Sequence, residues 1–129
     1  MRSFVEIDPG WKWDDNYAMC QGMKVGNLVY VSGQIALEPD GTLVGKGDMT
    51  AQASRVFQNI EEVLQRVGGS LENVFKITAY LTDMARYAQY SAVRTQAFKG
   101  RKPASTTVAV SALAFKDLLV EVEAVAYLE

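Results

Sequence analysis

Between Thr50 and Val67 the apolar residues fall at Ala53, Val56, Phe57, Ile60, Val63, Leu64 and Val67, three and four apart with polar residues between them. That is the period of an amphipathic helix. Asp48 or Thr50 is placed to cap its start, and Gly68-Gly69 offers the left-handed residue that commonly ends a helix. Over Val74–Thr82 the period changes to two: Phe75, Ile77, Ala79 and Leu81 alternate with Lys76, Thr78 and Tyr80, which predicts a strand with the first set on one face and the second on the other. Asp83 then caps a second predicted helix, Met84–Lys99, with Tyr87, Tyr90, Val93 and Ala97 as its inner stripe. Runs rich in β-branched residues predict strands at Phe4–Ile7, Met19–Lys24, Leu28–Ala36, Ser105–Ser111 and Leu118–Tyr127. Asp8-Pro9-Gly10 turns the chain after the first of these, Val25-Gly26-Asn27 joins the next two as a hairpin, and Pro39-Asp40-Gly41 marks a loop tip. The order β, β, β, α, β, α, β, β predicts an α+β fold, a six-stranded sheet with two helices on one face.

Two helices cannot cover both faces. In the last strand Val120, Val122, Ala124 and Ala126 would face the helices, leaving Glu121, Glu123, Val125 and Tyr127 on the other side. Tyr30, Ser32 and Gln34, or their neighbours one residue on, would join them. A half-apolar, uncovered sheet face points to a subunit interface, so a homo-oligomer is expected, with the polar residues in clefts between subunits that take a small-molecule ligand.

Composition narrows the chemistry. The 129 residues suit a single domain spanning 1–129. There is no histidine, which removes Ser-His-Asp and Cys-His pairs, imidazole bases and nearly all the usual catalytic zinc sites. Cys20 is the only cysteine, so no internal disulfide or Cys-x-x-Cys knuckle is available, and a reducing, cytoplasmic location is expected. Thirteen basic against 15 acidic residues give a net charge of −2, with no basic block to grip a phosphate backbone, so no nucleic-acid partner is expected. The segment Met1–Glu6 carries no apolar run of the signal-peptide kind, and no stretch is long enough to span a membrane. Asp14-Asp15 and Glu61-Glu62 are adjacent acids of the kind usually just solvated, so no metal is expected. Gly68-Gly69 ends a helix instead of opening one, so no phosphate loop is present and no cofactor is expected. Trp11 and Trp13 flank Lys12 and are read as packing residues.

From Val25-Gly26-Asn27-Leu28-Val29-Tyr30-Val31-Ser32-Gly33-Gln34 onward the chain resembles the RidA/YjgF family of reactive-intermediate deaminases, formerly labelled translation inhibitors or endoribonucleases. Gln52–Gly68 looks like that family's first long helix, Thr78–Asp83 like the strand leading to its second, and Glu121–Ala126 like its closing strand; the resemblance runs from about Cys20 to the C-terminus. It implies a chorismate-mutase-like subunit, a homotrimer with three intersubunit clefts, and cofactor-free hydrolysis of imines and enamines to a keto product and ammonia. In competent members an arginine after a Pro-Ala pair binds the substrate carboxylate, and a glutamate in the last strand positions the water.

Glu121 falls on that glutamate. In Lys102-Pro103-Ala104-Ser105-Thr106-Thr107 the arginine position is Ser105, which supplies neither charge nor a two-pronged donor. Met19, ahead of Cys20-Gln21, stands where many members have an aromatic residue, and Ser91 where many have asparagine. Arg101, in the loop before Ser105, and Arg94, three residues after Ser91, are candidates to compensate, although each is also an ordinary solvated charge. The expected site therefore comprises Glu121 as the catalytic residue, with Ser105, Arg101, Arg94, Ser32, Gly33, Gln34, Cys20, Ser91 and Thr107 around the ligand. Two functions remain open: a RidA-like hydrolase with altered substrate choice, and a non-catalytic trimer that binds a metabolite or partner in the same clefts. Endoribonuclease activity is disfavoured by the missing histidine and the negative charge.

Overall fold

The computed structural model describes residues 3–129; Met1 and Arg2, part of the segment read for a signal sequence, lie outside them. Eight principal elements follow the predicted order: β1 (Phe4–Ile7), β2 (Gly22–Val25), β3 (Leu28–Gln34), α1 (Met49–Gln65), β4 (Val74–Leu81), α2 (Tyr87–Ala97), β5 (Ala104–Ala109) and β6 (Val120–Tyr127). They form one six-stranded sheet in the order β1-β2-β3-β6-β4-β5, antiparallel throughout except for the β4/β5 pair. The last strand is inserted between β3 and β4, so the residues beside β6 come from both halves of the chain. Both helices lie against one face: α1 packs on β3, β6 and α2. This is the chorismate-mutase-like arrangement.

α1 forms where the three-four period demands, and Asp48 accepts from Ala51 N to cap it. Its buried stripe, including Val56, Phe57, Ile60, Val63 and Leu64, meets Val29 and Val31 of β3, Ile77, Ala79 and Leu81 of β4, and Val120, Val122, Ala124 and Ala126 of β6 in one core. At about 25 cal/mol per Å² of apolar surface removed from water, this continuous layer is the main source of stability. Gly68 takes the left-handed conformation (φ +79°) that lets the chain leave the helix toward β4. Trp11 is buried in the core, as a packing role requires.

Three differences from the sequence reading bear on the site. Phe75 is exposed and Val74 is buried in its place, because a bulge between Val74 and Lys76 in the β4/β6 pairing shifts the alternation by one residue. Residues Met84–Arg86 form a separate 3₁₀ turn capped by Asp83, so α2 starts at Tyr87. Tyr87 consequently lies at the helix start, partly exposed, while Tyr90 and Val93 fill the inner stripe. The third is a bulge in β3: Val31 pairs with Ala124 and Gln34 with Val122, so Ser32 and Gly33 together oppose the single residue Glu123. Gln34 is thereby turned into the protein on the helix side instead of joining Tyr30 on the open face, where it was expected.

The uncovered face carries Tyr30, Phe75, Val108 and Tyr127 as exposed large side chains, mixed with Glu121, Glu123, Lys76 and Tyr80. No helix among the described residues is long and apolar enough to cross a membrane.

Candidate functional site

The candidate residues gather into two groups on opposite faces of the sheet. The first centres on Glu121. It opposes Tyr80 in the β4/β6 pair, on the uncovered face, and its side chain lies directly over Gly33. A Cβ built on Gly33 would overlap the Glu121 carboxylate, coming within 2.7 Å of Cδ and 3.0 Å of Cγ, so the carboxylate occupies room that only glycine leaves. The β3 bulge is what brings Gly33 beneath it.

Glu121 is half-buried, and no hydrogen bond or ion pair engages its carboxylate among the described residues. Burial, and after it the charge of Glu123, holds its pKa above the ordinary glutamate value. Glu123 is itself engaged, accepting from Tyr80 Oη at 2.7 Å, which raises the tyrosine's pKa. Around this seat Ser32 Oγ donates to the Cys20 carbonyl at 2.7 Å. Gln34 donates to Gln21 Oε1 at 2.8 Å and to the Ser32 carbonyl at 3.1 Å, and Gln21 donates to Asp14 Oδ2 at 2.6 Å. Gln34 thus braces the bulge from within and does not line the open face. Cys20 is a half-buried free thiol.

The second group lies between α2 and β5. Ser105 pairs with buried Ile77, which places it on the helix side of the edge strand. Arg94, Ser105, Thr107, Arg101 and Lys102 line a cavity of about 990 Å³, together with Tyr87 and Met84. The Arg94 guanidinium donates to Ser105 Oγ (3.2 Å), Tyr87 Oη (3.1 Å) and Ser91 Oγ (3.0 Å). It also lies 5.7 Å from the Tyr87 ring centre and 5.4 Å from that of Tyr90, within cation–π range. The hydrogen bond and positive charge of Arg94 lower the Tyr87 pKa, whereas burial pushes Tyr90 up to about 12. Arg101 has a different fate: Nη1 pairs with Glu72 Oε1 at 3.1 Å. Of the two arginines set beside the serine, only Arg94 reaches it.

Tyr87 was read from the sequence as a core position, and its place beside Arg94 was missed. The signal lies in the spacing: Tyr87, Tyr90, Ser91 and Arg94 are three, four and seven apart, one ridge of a helix. Trp13, with Tyr17 and Phe115, forms a separate aromatic cluster beside a smaller cavity of about 350 Å³. Among the described residues no group of three or more cysteine, aspartate and glutamate side chains is gathered to hold a metal ion.

An unpaired carboxylate of raised proton affinity accepts a proton from water; a hydroxyl-lined cavity beside an arginine binds an oxyanion. The faces they occupy keep the two apart within one chain.

The chain is matched over residues 15–128 by the family model described as Endoribonuclease L-PSP. It is similar to a RutC family protein of Pyrococcus abyssi, 43% identical over 109 residues covering 84% of this chain and 85% of the relative. Among solved structures, yeast Mmf1 superposes with a TM-score of 0.89 at 32% identity, covering 98% of this chain and 99% of the other. RidA of the Antarctic bacterium Psychrobacter gives a TM-score of 0.84 at 32% identity, covering 99% of this chain and all of the other (100%).

Proposed function

Because the chain belongs to the endoribonuclease L-PSP family, the RidA/YjgF proteins, we propose that it hydrolyses small imines and enamines, with Glu121 activating the water. The observation that carries this reading is the Glu121 carboxylate, seated on Gly33, without a counter-ion among the described residues and raised in pKa by burial. A carboxylate kept for an ion pair would have a cation beside it; this one is free to take a proton.

In the proposed reaction Glu121 accepts a proton as water oxygen adds to the C=N carbon. The proton passes to nitrogen to give the carbinolamine, whose hydroxyl proton is then moved to the amine, with Glu121 as the relay, as the C–N bond breaks, so that the carbonyl forms and ammonia leaves. Enamines enter through their imine tautomers. The step is a hydrolysis with no net oxidation or reduction, so the proposal needs no cofactor.

The protein acts as a homotrimer in this reading. The mixed apolar face is an interface in search of a partner, and association would bring the Glu121 side of one copy toward the Arg94 cavity of the next. Cys20 as a free thiol fits a reducing, cytoplasmic location. A net charge of −2 and the lack of histidine favour small metabolites over RNA.

One observation favours a second reading, a metabolite-binding trimer without turnover: Ser105 stands where competent relatives are expected to carry arginine. The test is ammonia release from a panel of neutral and acidic imines, coupled to detection of the carbonyl product. The expected result is turnover with an acid limb set above the ordinary glutamate value of 4.5, since activity requires ionised Glu121 and is lost as pH falls through its raised pKa. Failure across the whole panel, with a tight ligand found by thermal shift, would favour the second reading.

A further inference from the structure

A line of buried polar contacts runs from the N-terminal segment to the floor of the Glu121 seat. Asp14 stands in the segment that Lys12 N and Trp13 N fasten to the Pro39 carbonyl, at 2.8 and 3.3 Å. Its Oδ2 accepts from Gln21 Nε2 at 2.6 Å, and Gln21 Oε1 accepts from Gln34 Nε2 at 2.8 Å. The same Gln34 nitrogen donates to the Ser32 carbonyl at 3.1 Å. Both glutamines are only 1% exposed, so water does not compete for these bonds. The Ser32 carbonyl belongs to the peptide that carries Gly33 N, and Gly33 is the residue against which the Glu121 carboxylate lies.

The donors and acceptors give this line a direction. A carboxylate only accepts, whereas an amide offers a carbonyl on one side and an NH₂ on the other. Asp14 therefore takes the NH₂ of Gln21 and turns the Gln21 carbonyl toward Gln34. That carbonyl takes the NH₂ of Gln34, which is thereby also aimed at Ser32. With both amides reversed, the Gln21 oxygen would face the Asp14 carboxylate, the Gln34 oxygen would face the Ser32 carbonyl, and Ser32 would lose its donor. The chosen orientation leaves Gln34 Oε1 buried with no hydrogen-bond partner among the described residues. Gln34 is thus held in place by what its nitrogen does.

We propose that Asp14 is a positioning residue for Glu121, acting through Gln21 and Gln34 on the Ser32–Gly33 peptide. The peptide sits in the β3 bulge, where two residues oppose one and the ladder alone constrains the backbone least. Ser32 N donates to the Gln21 carbonyl at 2.9 Å and Ser32 Oγ to the Cys20 carbonyl at 2.7 Å, so the Gln34 bond is what holds the carbonyl side of the same residue. Because Gly33 stands directly against the carboxylate, a shift of this peptide either moves Glu121 or admits water to it. The proposal rests on the hydrolase reading only for the use to which the carboxylate is put.

The test compares Asp14→Ala, Gln34→Met, their double variant and Asp15→Ala, which removes a neighbouring charge outside the line. Two quantities are followed: kcat and KM for imine hydrolysis, and the titration of the Glu121 side-chain carboxyl by carbon-detected magnetic resonance. Asp14→Ala should lower kcat about 5- to 10-fold with KM nearly unchanged, and Gln34→Met, which cuts the last link, about 30-fold. In both, the Glu121 titration should fall toward the ordinary glutamate value of 4.5 as water gains access. The double variant should lie within about twofold of Gln34→Met alone, since the two changes break one line. Asp15→Ala should match the parent. Parental kcat and titration in Asp14→Ala would overturn the proposal, as would an equal loss in Asp15→Ala or a fully additive loss in the double variant, either of which would mark a direct effect of charge. Should Gln34→Met fail to fold, the partly exposed Asp14 against Asp15 still decides the matter. An unaltered protein that turns over no imine would sink the hydrolase reading alone, because the Glu121 titration needs no substrate.

Discussion

Glu121→Gln is expected to lower imine turnover about 10³-fold while leaving the fold and the oligomer intact, the range in which loss of a proton-transfer group falls. Glutamine keeps the shape and volume of the side chain over Gly33 but cannot accept the proton of the attacking water. The uncharged amide is also easier to keep half-buried than a carboxylate whose pKa burial and Glu123 already raise, so stability should hold or rise slightly. Thermal melts and size-exclusion profiles should match the parent, with the loss in kcat far exceeding any change in KM. A drop of less than about 10-fold in kcat/KM would remove Glu121 from the chemistry.

Gly33→Ala is expected to reduce turnover by about 10², because a displacement near 1 Å at a reacting group has that scale of effect. The new methyl would fall on the Glu121 carboxylate, 2.7 Å from Cδ, and the backbone beneath it is fixed by the β3 bulge and the Gln34 bonds, so the glutamate is the part that moves. Gly33 is not in the left-handed region, so alanine introduces no backbone strain and the effect is steric. Denaturant unfolding should show a modest loss of stability, under about 2 kcal/mol for one added methyl at a half-open site. Equal activity of Gly33→Ala and the parent would mean that the seat of Glu121 is immaterial.

The fold was legible because its periods are regular where they matter. The three-four spacing from Ala53 to Val67 has one consistent solution, and the alternation of Val120, Val122, Ala124 and Ala126 sets the orientation of the strand that ends up central. What misled were the places where a strand gains a residue. Bulges at Phe75 and at Ser32-Gly33 reverse the alternation without altering composition, since either register offers an acceptable mixture of apolar and polar side chains. The site was legible in its residues and obscure in its grouping. Glu121, Gly33, Arg94 and Ser105 could be picked out along the chain, yet the choice of Arg94 over Arg101 depended on the Glu72 pair, 29 residues away in sequence, and on the turn that places Tyr87 at the start of α2. No local pattern encodes either.

The separation of Glu121 and Arg94 on opposite sheet faces makes the central claim testable by mixing. Glu121→Gln and Arg94→Gln subunits, each strongly impaired alone in this account at substrate well below saturation, are co-refolded in equal amounts and assayed under that condition. If a working cleft takes Glu121 from one copy and Arg94 from the next, about one quarter of clefts in a randomly mixed trimer carry both intact residues. Ammonia release should therefore return to about a quarter of the parent rate. A mixture as inactive as its two components, with subunit exchange verified by mass spectrometry, would contradict a shared site.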